Sequence, residues 1–253
     1  MVDLHCHILA DMDDGAQTME DSIDMAKEAI NNGIQSIVAT PHYNHKYQNE
    51  KQKIVNGVKD LNDRLLAENI PLTIYPGQEV RIYGDILQDY NQGKIQTLCE
   101  TQYLFIEFPA DHVPKYAEGL LYNLLLEGII PIIVHPERNA QLIQQPDILY
   151  NLVDKGALTQ ITASSVCGHF GKNIMKFTQQ IIEANLTHFI ASDAHNITSR
   201  SFRFNEALDV IEKEYGMDIV YLLTENAQLV VDGQNIYKEI PTKIKRKKIL
   251  GIF

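Results

Sequence analysis

The segment VDLHCH, residues 2–7, carries the pattern from which the fold is inferred. Val2 and Leu4 are apolar, which is typical of a strand that begins in a protein core. Successive side chains of a strand point to opposite faces, so His5 and His7 are expected to point one way and Cys6 the other. Two imidazoles on one face can chelate one ion, although an isolated pair of this kind is weak evidence for a metal site.

Short apolar runs that end in a metal-binding type of side chain recur along the chain. Five later runs of β-branched or apolar residues are followed closely by His42, Glu79, Glu107, His135, and the pair Asp193 and His195. Between the runs lie stretches compatible with helices, at 19–32, 49–69, 84–92, 114–127, 146–155, 172–185 and 202–215. Strand and helix patterns therefore alternate along nearly the whole chain.

This alternation predicts an α/β fold built on a parallel sheet. The run 157–163, which carries no obvious ligand, brings the count to seven βα units. We therefore predict a single domain formed by a distorted (β/α)7 barrel similar to the TIM barrel. The carboxyl ends of all strands lie at one end of such a barrel, and function resides there. The histidines and acidic residues of six strand ends are then expected to converge on a polynuclear metal site.

The composition is that of an ordinary globular protein, with 253 residues of which 45% are hydrophobic and 22% charged. This length is sufficient for one domain with a full core. The chain has no stretch of about 18 apolar residues, and its N-terminus lacks a basic region followed by an apolar one. We therefore expect a cytoplasmic protein, with the main domain at 1–240 and a C-terminal tail at 241–253.

Charge is distributed unevenly between the main domain and the tail. A net charge of −11 argues against nucleic acid as the main partner, because binding to a phosphate backbone requires a positive surface. The tail is basic and contains Lys243, Lys245, Arg246, Lys247 and Lys248, followed by the apolar segment 249–253. Such a run is usually a solvated end. The alternative is weak peripheral contact with an anionic membrane or with an acidic partner.

Eight ordered motifs resemble a known superfamily. They are His5-Cys-His7, Asp13-Asp14-Gly15, Thr40-Pro-His42, Gly77-Gln-Glu79, Ile106-Glu-Phe-Pro109, Ala110-Asp-His-Val-Pro114, His135-Pro-Glu-Arg138 and Ser192-Asp-Ala-His-Asn196. Together they resemble the PHP (polymerase and histidinol phosphatase) superfamily. More narrowly, they are similar to the bacterial manganese-dependent tyrosine-protein phosphatases encoded with capsule or exopolysaccharide genes. The similarity extends from the N-terminus to about Ala227.

The resemblance implies a set of metal ligands. One ion would be held by His5, His7, Glu79 and Asp193, a second by Glu79, Glu107 and His135, and a third by Asp14, His42 and His195. Asp13 is the alternative to Asp14 for the third ion. Imidazole and carboxylate ligands without thiolates suit several divalent metals. The resemblance favours two or three manganese ions, with iron, zinc or cobalt as alternatives.

The resemblance also assigns roles to residues near these ligands. Arg138 and Arg200 would bind the phosphoryl group and stabilise the charge that develops during its transfer. The alternative for each arginine is a surface ion pair, and Arg81 and Arg203 are weaker candidates. Among residues without a proposed ligand role, we expect His188 to be buried or half-buried. Thr162, Ser164 and Ser165 are expected to line the pocket.

The function implied by the resemblance is hydrolysis of phosphotyrosine by attack of a metal-bound hydroxide. The expected substrate is the tyrosine-rich tail of a bacterial tyrosine kinase that regulates polysaccharide export. The alternatives are a small-molecule phosphatase of the histidinol phosphate type or a nucleotide phosphoesterase, and a non-enzymatic regulatory module would be expected to lack ligands. Cysteine-based catalysis is excluded because a nucleophilic cysteine needs an arginine six residues on, and positions 12, 105 and 173 carry none.

Overall fold

The computed structural model describes residues 1–245, and its strands confirm the predicted parallel α/β architecture. The strands are Val2–Cys6 (β1), Ser36–Ala39 (β2), His42–Tyr43 (β3), Thr73–Pro76 (β4), Glu79–Arg81 (β5), Tyr103–Glu107 (β6), Ile130–Val134 (β7), Leu158–Thr162 (β8) and Phe189–Ala191 (β9). They form two parallel sheets, in the orders β1-β2-β4 and β3-β5-β6-β7-β8-β9.

Two interrupted strands join the sheets into a barrel. Ala39 lies opposite Pro76 and His42 opposite Glu79, so β2 and β3 pair with β4 and β5 in one unbroken register. At the other seam, the backbone of β1 meets the segment after β9 through the bridge between Cys6 and Ala194. When each interrupted strand is counted once, residues 1–245 contain the seven barrel strands that the sequence predicts.

A β-bulge in β1 changes which side chains face the barrel interior. Asp3 lies opposite Ile37 whereas Cys6 lies opposite Ala39, so β1 contains one residue more than β2 over this interval. A bulge of this kind reverses the side-chain alternation beyond it. Leu4 therefore packs in the apolar interior of the barrel, while Cys6 packs in the apolar layer between strands and helices. The side chains on either side of Cys6 then face the barrel mouth.

The helices form the outer layer. Within residues 1–245 they are Met19–Asn31 (α1), Lys51–Ala67 (α2), Ile86–Asn91 (α3), Ala117–Leu126 (α4), Ala140–Gln144 (α5), Asp147–Asp154 (α6), Ala163–Val166 (α7), Lys172–Glu183 (α8), Phe204–Tyr215 (α9) and Met217–Val231 (α10). The seven predicted helices are confirmed, with ends shifted by a few residues. No helix in this part of the chain is both long and apolar enough to span a membrane.

The sequence analysis did not predict α10. This helix contributes Ala227 and Val230 to the same apolar cluster as the interior strand residues. Its buried Asn226 donates hydrogen bonds to the backbone oxygens of His188 and Tyr237. The helix therefore covers the barrel near the start of β9, at the end opposite the strand carboxyl termini.

The segment that follows α10 runs back along the barrel. Asn185 donates a hydrogen bond of 3.1 Å to the backbone oxygen of Ile240, and the amide of Thr242 donates one of 2.8 Å to Ala184. Most of the basic and apolar tail predicted from the sequence, from residue 246 onward, lies outside the described residues.

Candidate functional site

The residues predicted as metal ligands meet at the carboxyl end of the barrel strands. Four lie on strands, and the others lie in the segments that follow β1, β7 and β9. The structure brings all of them into one continuous cluster, which contains His5, His7, Asp14, His42, Glu79, Glu107, His135, Asp193 and His195. All are buried except Asp14, which is exposed, and His42, which is partly exposed.

Glu79 lies at the centre of this cluster. Its Oε2 is 3.4 Å from Nε2 of both His5 and His7 and 2.8 Å from Nδ1 of His42, and its Oε1 is 2.8 Å from Nε2 of His135. One carboxylate thus faces four imidazoles, which come from β1 and the residue just after it, from β3 and from the segment after β7. This is the placement expected of a carboxylate that bridges two ions.

Asp193 completes the group around the first histidine pair. Its Oδ1 is 3.5 Å from Nε2 of His5 and 3.4 Å from Nε2 of His7. The Nε2 atoms of His5 and His7 are themselves 3.3 Å apart, as expected for two side chains on one face. One ligand atom from each of these three residues lies within 4.8 Å of the others, so they could hold one ion.

The structure distinguishes Asp14 from Asp13. Oδ1 of Asp14 lies 3.4 Å from Nε2 of both His42 and His195, inside the cluster. The carboxylate of Asp13 instead accepts hydrogen bonds from Nδ1 of His7 at 2.6 Å and from the amide of Gly15 at 2.9 Å. Asp13 therefore orients a histidine of the cluster from behind.

The loop that carries these aspartates lies very close to His7. A Cβ atom at Gly15 would be 2.0 Å from the backbone oxygen of His7. Only glycine allows this approach, which explains the glycine of the Asp13-Asp14-Gly15 motif.

The grouping of the second predicted ion is more complex than the sequence suggested. Ligand atoms of His42, Glu79 and Glu107 lie within 4.8 Å of one another. His135 contacts this group through Glu79, whose Oε1 lies 2.8 Å from Nε2 of His135. His42 thus lies between the groups predicted for the second and third ions, with Nδ1 facing Glu79 and Nε2 facing Asp14.

Three histidines are held in one orientation by hydrogen bonds from Nδ1. His5 donates to Oε1 of Gln160 at 2.8 Å, His7 to Asp13, and His195 to the backbone oxygen of Asp193 at 3.0 Å. Donation from Nδ1 leaves Nε2 free to act as a ligand, an arrangement that is common around protein-bound metals.

Several atoms of the cluster lack hydrogen-bond partners within the described chain. They are Nδ1 of His42, Oε2 of Glu79, Oε2 of Glu107 and Nε2 of His195, all of them buried. Neither the 2.8 Å contact between His42 and Glu79 nor the 2.9 Å contact of Oε2 of Glu107 with Nε of Arg81 has hydrogen-bond geometry. Buried polar atoms normally have partners, so this set is suited to cations. Imidazole and carboxylate donors match manganese, iron or zinc.

Burial and neighbouring charges alter the acidity of these groups. Burial, reinforced by the charge of Glu79, raises the pKa of Glu107 to about 7. Burial together with the charge of Arg138 lowers the pKa of His135 to about 4. Burial together with the charge of His7 lowers the pKa of His195 to about 4. Both imidazoles are therefore neutral at pH 7, as a metal ligand must be.

The pKa values of His42 and Asp193 are shifted in the directions that keep both side chains charged at pH 7. Burial alone would lower the pKa of His42, but the Glu79 carboxylate raises it to about 10. Burial alone would raise the pKa of Asp193, but Arg138 and His5 hold it well below its usual range. A cation at the cluster must therefore displace a proton from His42 and none from Asp193.

The two predicted phosphate-binding arginines converge on one oxygen. Nη2 of Arg138 lies 2.8 Å from Oδ2 of Asp193, and Nη2 of Arg200 lies 3.0 Å from the same atom. The guanidinium of Arg138 also lies over the ring of Phe170, 5.4 Å from its centroid. Both arginines thus contact a buried member of the cluster, which is not the surface ion pair considered as the alternative.

The weaker arginine candidates occupy different positions. Arg81 contacts both carboxylate oxygens of Glu107, with its Nε at 2.9 Å and its Nη2 at 3.0 Å. Arg203 pairs with Glu206 at 3.5 Å, beside the start of α9. Arg81 therefore belongs to the edge of the cluster, whereas the ion pair of Arg203 involves no predicted ligand.

Two buried polar residues of the site were missed by sequence reasoning. Gln160 supports His5, and Oε1 of Glu137 accepts hydrogen bonds from the hydroxyls of Thr162 at 3.0 Å and Ser165 at 2.7 Å. Thr162 and Ser165 therefore anchor the segment after β7. The available signal for Gln160 was an amide side chain two residues after Leu158, on the same face of β8.

The cysteine side chains take no part in the cluster. Burial raises the pKa of Cys99 and of Cys167 to about 12, and burial raises that of Cys6 as well. All three thiols are free and remain protonated at neutral pH, so none is an activated nucleophile.

Comparison with known proteins identifies the family. The family model for capsular polysaccharide synthesis, CpsB/CapC, matches residues 1–232. The tyrosine-protein phosphatase YwqE of Bacillus subtilis is 50% identical over 254 residues, and the putative tyrosine-protein phosphatase CapC of Staphylococcus aureus is 41% identical over 254 residues. Each match covers 100% of both chains.

A solved structure gives the same result for the fold. It comes from work on YwqE from Bacillus subtilis and CpsB from Streptococcus pneumoniae, described as unique metal-dependent tyrosine phosphatases. It superposes with a TM-score of 0.95 at 51% identity and covers 97% of this chain and 100% of its own. The resemblance and the barrel fold predicted from the sequence are thereby confirmed, and the chain belongs to the CpsB/CapC family of capsular polysaccharide synthesis.

Proposed function

We propose that the protein is a metal-dependent protein-tyrosine phosphatase. The observation that carries this proposal is the buried cluster of imidazoles and carboxylates with two arginines converging on Asp193. Relatives that are 50% and 41% identical over their whole length are named tyrosine-protein phosphatases, one of them putatively. This favours phosphotyrosine over histidinol phosphate or nucleotides as the substrate.

The metal assignment that we propose follows the three predicted groups. One divalent ion would be held by His5, His7, Glu79 and Asp193. A second would be held by Glu79, Glu107 and His135. A third would be held by Asp14, His42 and His195. Manganese is the proposed metal, with iron, zinc or cobalt as alternatives. Ions bound in this way neutralise phosphoryl charge and lower the pKa of bound water toward neutrality.

The side chains of the site have separate tasks in the proposed reaction. Arg138 and Arg200 would donate hydrogen bonds to phosphoryl oxygens, since planar guanidinium groups match the geometry of a phosphate. Asp13 and Gln160 hold the rings of His7 and His5 so that Nε2 faces the cluster.

The leaving group of the proposed reaction needs little assistance from an acidic side chain. A tyrosine phenol has a pKa near 10 and leaves more easily than an alkyl alcohol. The reaction therefore has less need of a strong general acid than cleavage of an alkyl phosphate.

We further propose the biological setting. The substrate would be the tyrosine-rich tail of a bacterial tyrosine kinase that regulates capsule or exopolysaccharide synthesis, in the cytoplasm. The basic and apolar C-terminal tail would add weak peripheral contact with the membrane.

The test compares substrates before and after metal removal. We expect the metal-loaded protein to hydrolyse a phosphotyrosine peptide faster than a phosphoserine peptide, histidinol phosphate or a nucleotide. Chelation should abolish the activity, and addition of manganese should restore it. Faster turnover of histidinol phosphate or a nucleotide, or full activity without metal, would contradict the proposal.

A further inference from the structure

A mostly apolar cavity of about 270 Å³ opens between the segments that follow β6 and β7. Its apolar lining consists of Phe108, Pro109, Ala110, Val134 and Pro136. Ala110 is exposed at the surface, whereas Phe108 and Pro136 are buried. The cavity is therefore open to solvent on one side and closed by the barrel on the other.

This cavity is continuous with the candidate metal cluster. Glu107, His135 and Arg138 also line it. Glu107 and His135 are proposed metal ligands, and Arg138 is one of the two proposed phosphate-binding side chains. A ligand whose phosphate group lies at the cluster would thus have the cavity directly beside that group.

The wall of the cavity is held in place by hydrogen bonds. The buried side chain of Asn139 donates to the backbone oxygens of Pro109 at 2.7 Å and His112 at 3.0 Å. The amide of Ala140 donates to the backbone oxygen of Ala110 at 2.8 Å. The segment after β6 is therefore fixed to the start of α5, and the cavity exists before any ligand enters.

The size and chemistry of the cavity suit a flat apolar group. An apolar cavity of about 150 Å³ in another protein holds benzene, so this one has room for a single aromatic ring. Apolar side chains form most of the wall, and its charged groups lie on the side of the cluster. The fitting ligand therefore has an aromatic ring at one end and a phosphate group at the other.

We infer that this cavity, lined by Phe108, Ala110, Val134 and Pro136, binds the aromatic ring of the substrate phosphotyrosine. The inference rests on the proposed function and names the source of its specificity. A phosphoserine or phosphothreonine side chain carries no ring and would leave the cavity empty. The contribution of the ring is then lost, which lowers the efficiency of hydrolysis for those substrates.

The test introduces a large side chain at the exposed edge of the cavity. In Ala110→Trp an indole is introduced where the ring of the substrate would lie. The matched control is Ala67→Trp, the same change at an exposed position at the end of α2. Binding of benzylphosphonate and of methylphosphonate to the metal-loaded proteins is measured by calorimetry, because these two probes differ in the ring alone.

The ring should account for a measurable part of the affinity. We expect the wild type and Ala67→Trp to bind benzylphosphonate about tenfold or more tightly than methylphosphonate, from burial of the ring. Ala110→Trp should bind the two probes about equally, with its affinity for methylphosphonate unchanged. Its kcat/KM for a phosphotyrosine peptide should fall by about tenfold or more, mainly through KM.

Two outcomes would overturn the inference. One is a wild type that binds benzylphosphonate no more tightly than methylphosphonate. The other is an Ala110→Trp variant that still prefers benzylphosphonate, including the case in which its affinity for both probes falls by the same factor. Failure of the proposed function gives a different result, because a wild type that does not hydrolyse the phosphotyrosine peptide can still be compared for binding of the two phosphonates.

Discussion

The two halves of the barrel interior both contain fully buried side chains, but the chemistry of these side chains is opposite. In the lower half, toward the strand N-termini, Phe105, Ile132 and Phe189 are fully buried in an apolar cluster. In the upper half, His5 and Glu79 are just as inaccessible, yet they are polar and ionisable. The boundary is crossed within one strand, because Phe105 and Glu107 lie two residues apart on the same side of β6.

This difference shows that stability and function occupy separate layers of one core. Burial of apolar side chains in the lower half stabilises the fold. Burial of carboxylates and imidazoles in the upper half is unfavourable unless each is paired. The upper half nevertheless retains buried atoms without hydrogen-bond partners in the described chain, such as Oε2 of Glu79. Its composition is explained by ligand binding rather than by folding.

The largest effect is expected from removal of the central carboxylate of the upper half. Glu79→Ala should lose bound metal and lower activity by about 10³-fold or more, because Glu79 faces four imidazoles and is proposed to bridge two ions. Metal analysis and phosphotyrosine peptide turnover test this. Full metal occupancy in the variant would contradict the bridging role.

Removal of an arginine at the edge of the upper half should separate activity from metal binding. Arg138→Ala is expected to lower kcat by about 10²- to 10³-fold, as the loss of one stabilising donor does in other enzymes. Its metal content should remain that of the wild type. The control is Arg64→Ala, which removes an arginine from a surface pair with Glu68 and should leave kcat unchanged. Depleted metal in Arg138→Ala would argue against a phosphate-binding role.

A substitution in the lower half should act on stability alone. Ile132→Ala removes a fully buried side chain from the apolar cluster and should lower the free energy of unfolding by about 2–5 kcal/mol. Metal content and activity, assayed well below the unfolding temperature, should be retained. Loss of metal in the folded variant would show that the two layers are coupled more strongly than this comparison suggests.

Gln160 lies where the two layers meet, so a substitution there tests how sharply they are separated. Gln160→Leu keeps the size of the side chain but removes the acceptor for Nδ1 of His5. Loss of such a supporting contact should weaken metal affinity by about 10- to 100-fold. Competition with a chelator of known affinity measures this change. Wild-type affinity would indicate that the ring of His5 is oriented by packing alone.

The smallest effect is expected from the thiols. Replacement of Cys6, Cys99 and Cys167 by serine should leave the activity of the folded enzyme within about twofold of the wild type, since each thiol is protonated at neutral pH. Turnover at equal metal content measures this. Loss of activity with metal content unchanged would contradict a thiol-independent mechanism.

Much of the architecture follows from local patterns. The runs of β-branched residues predict the strands, and the amphipathic stretches between them predict the seven helices that were confirmed. The bulge in β1 and the interruption between β2 and β3 were not predicted, because both are irregularities of strand pairing. α10 was not predicted because it lies beyond the last βα unit, although Ala227 and Val230 pack against the barrel interior.

The sequence by itself determined where the candidate ligands lie. Each lies on a strand or in the segment that follows one, and a parallel βα topology places every strand carboxyl end at the same end of the barrel. Tertiary structure alone decided which atoms meet there. Asp14 rather than Asp13 faces His42 and His195. Gln160 supports His5, and Arg138 and Arg200 share one oxygen of Asp193. These contacts depend on strand register, on the bulge and on loop packing, which are set by interactions between residues far apart in the chain.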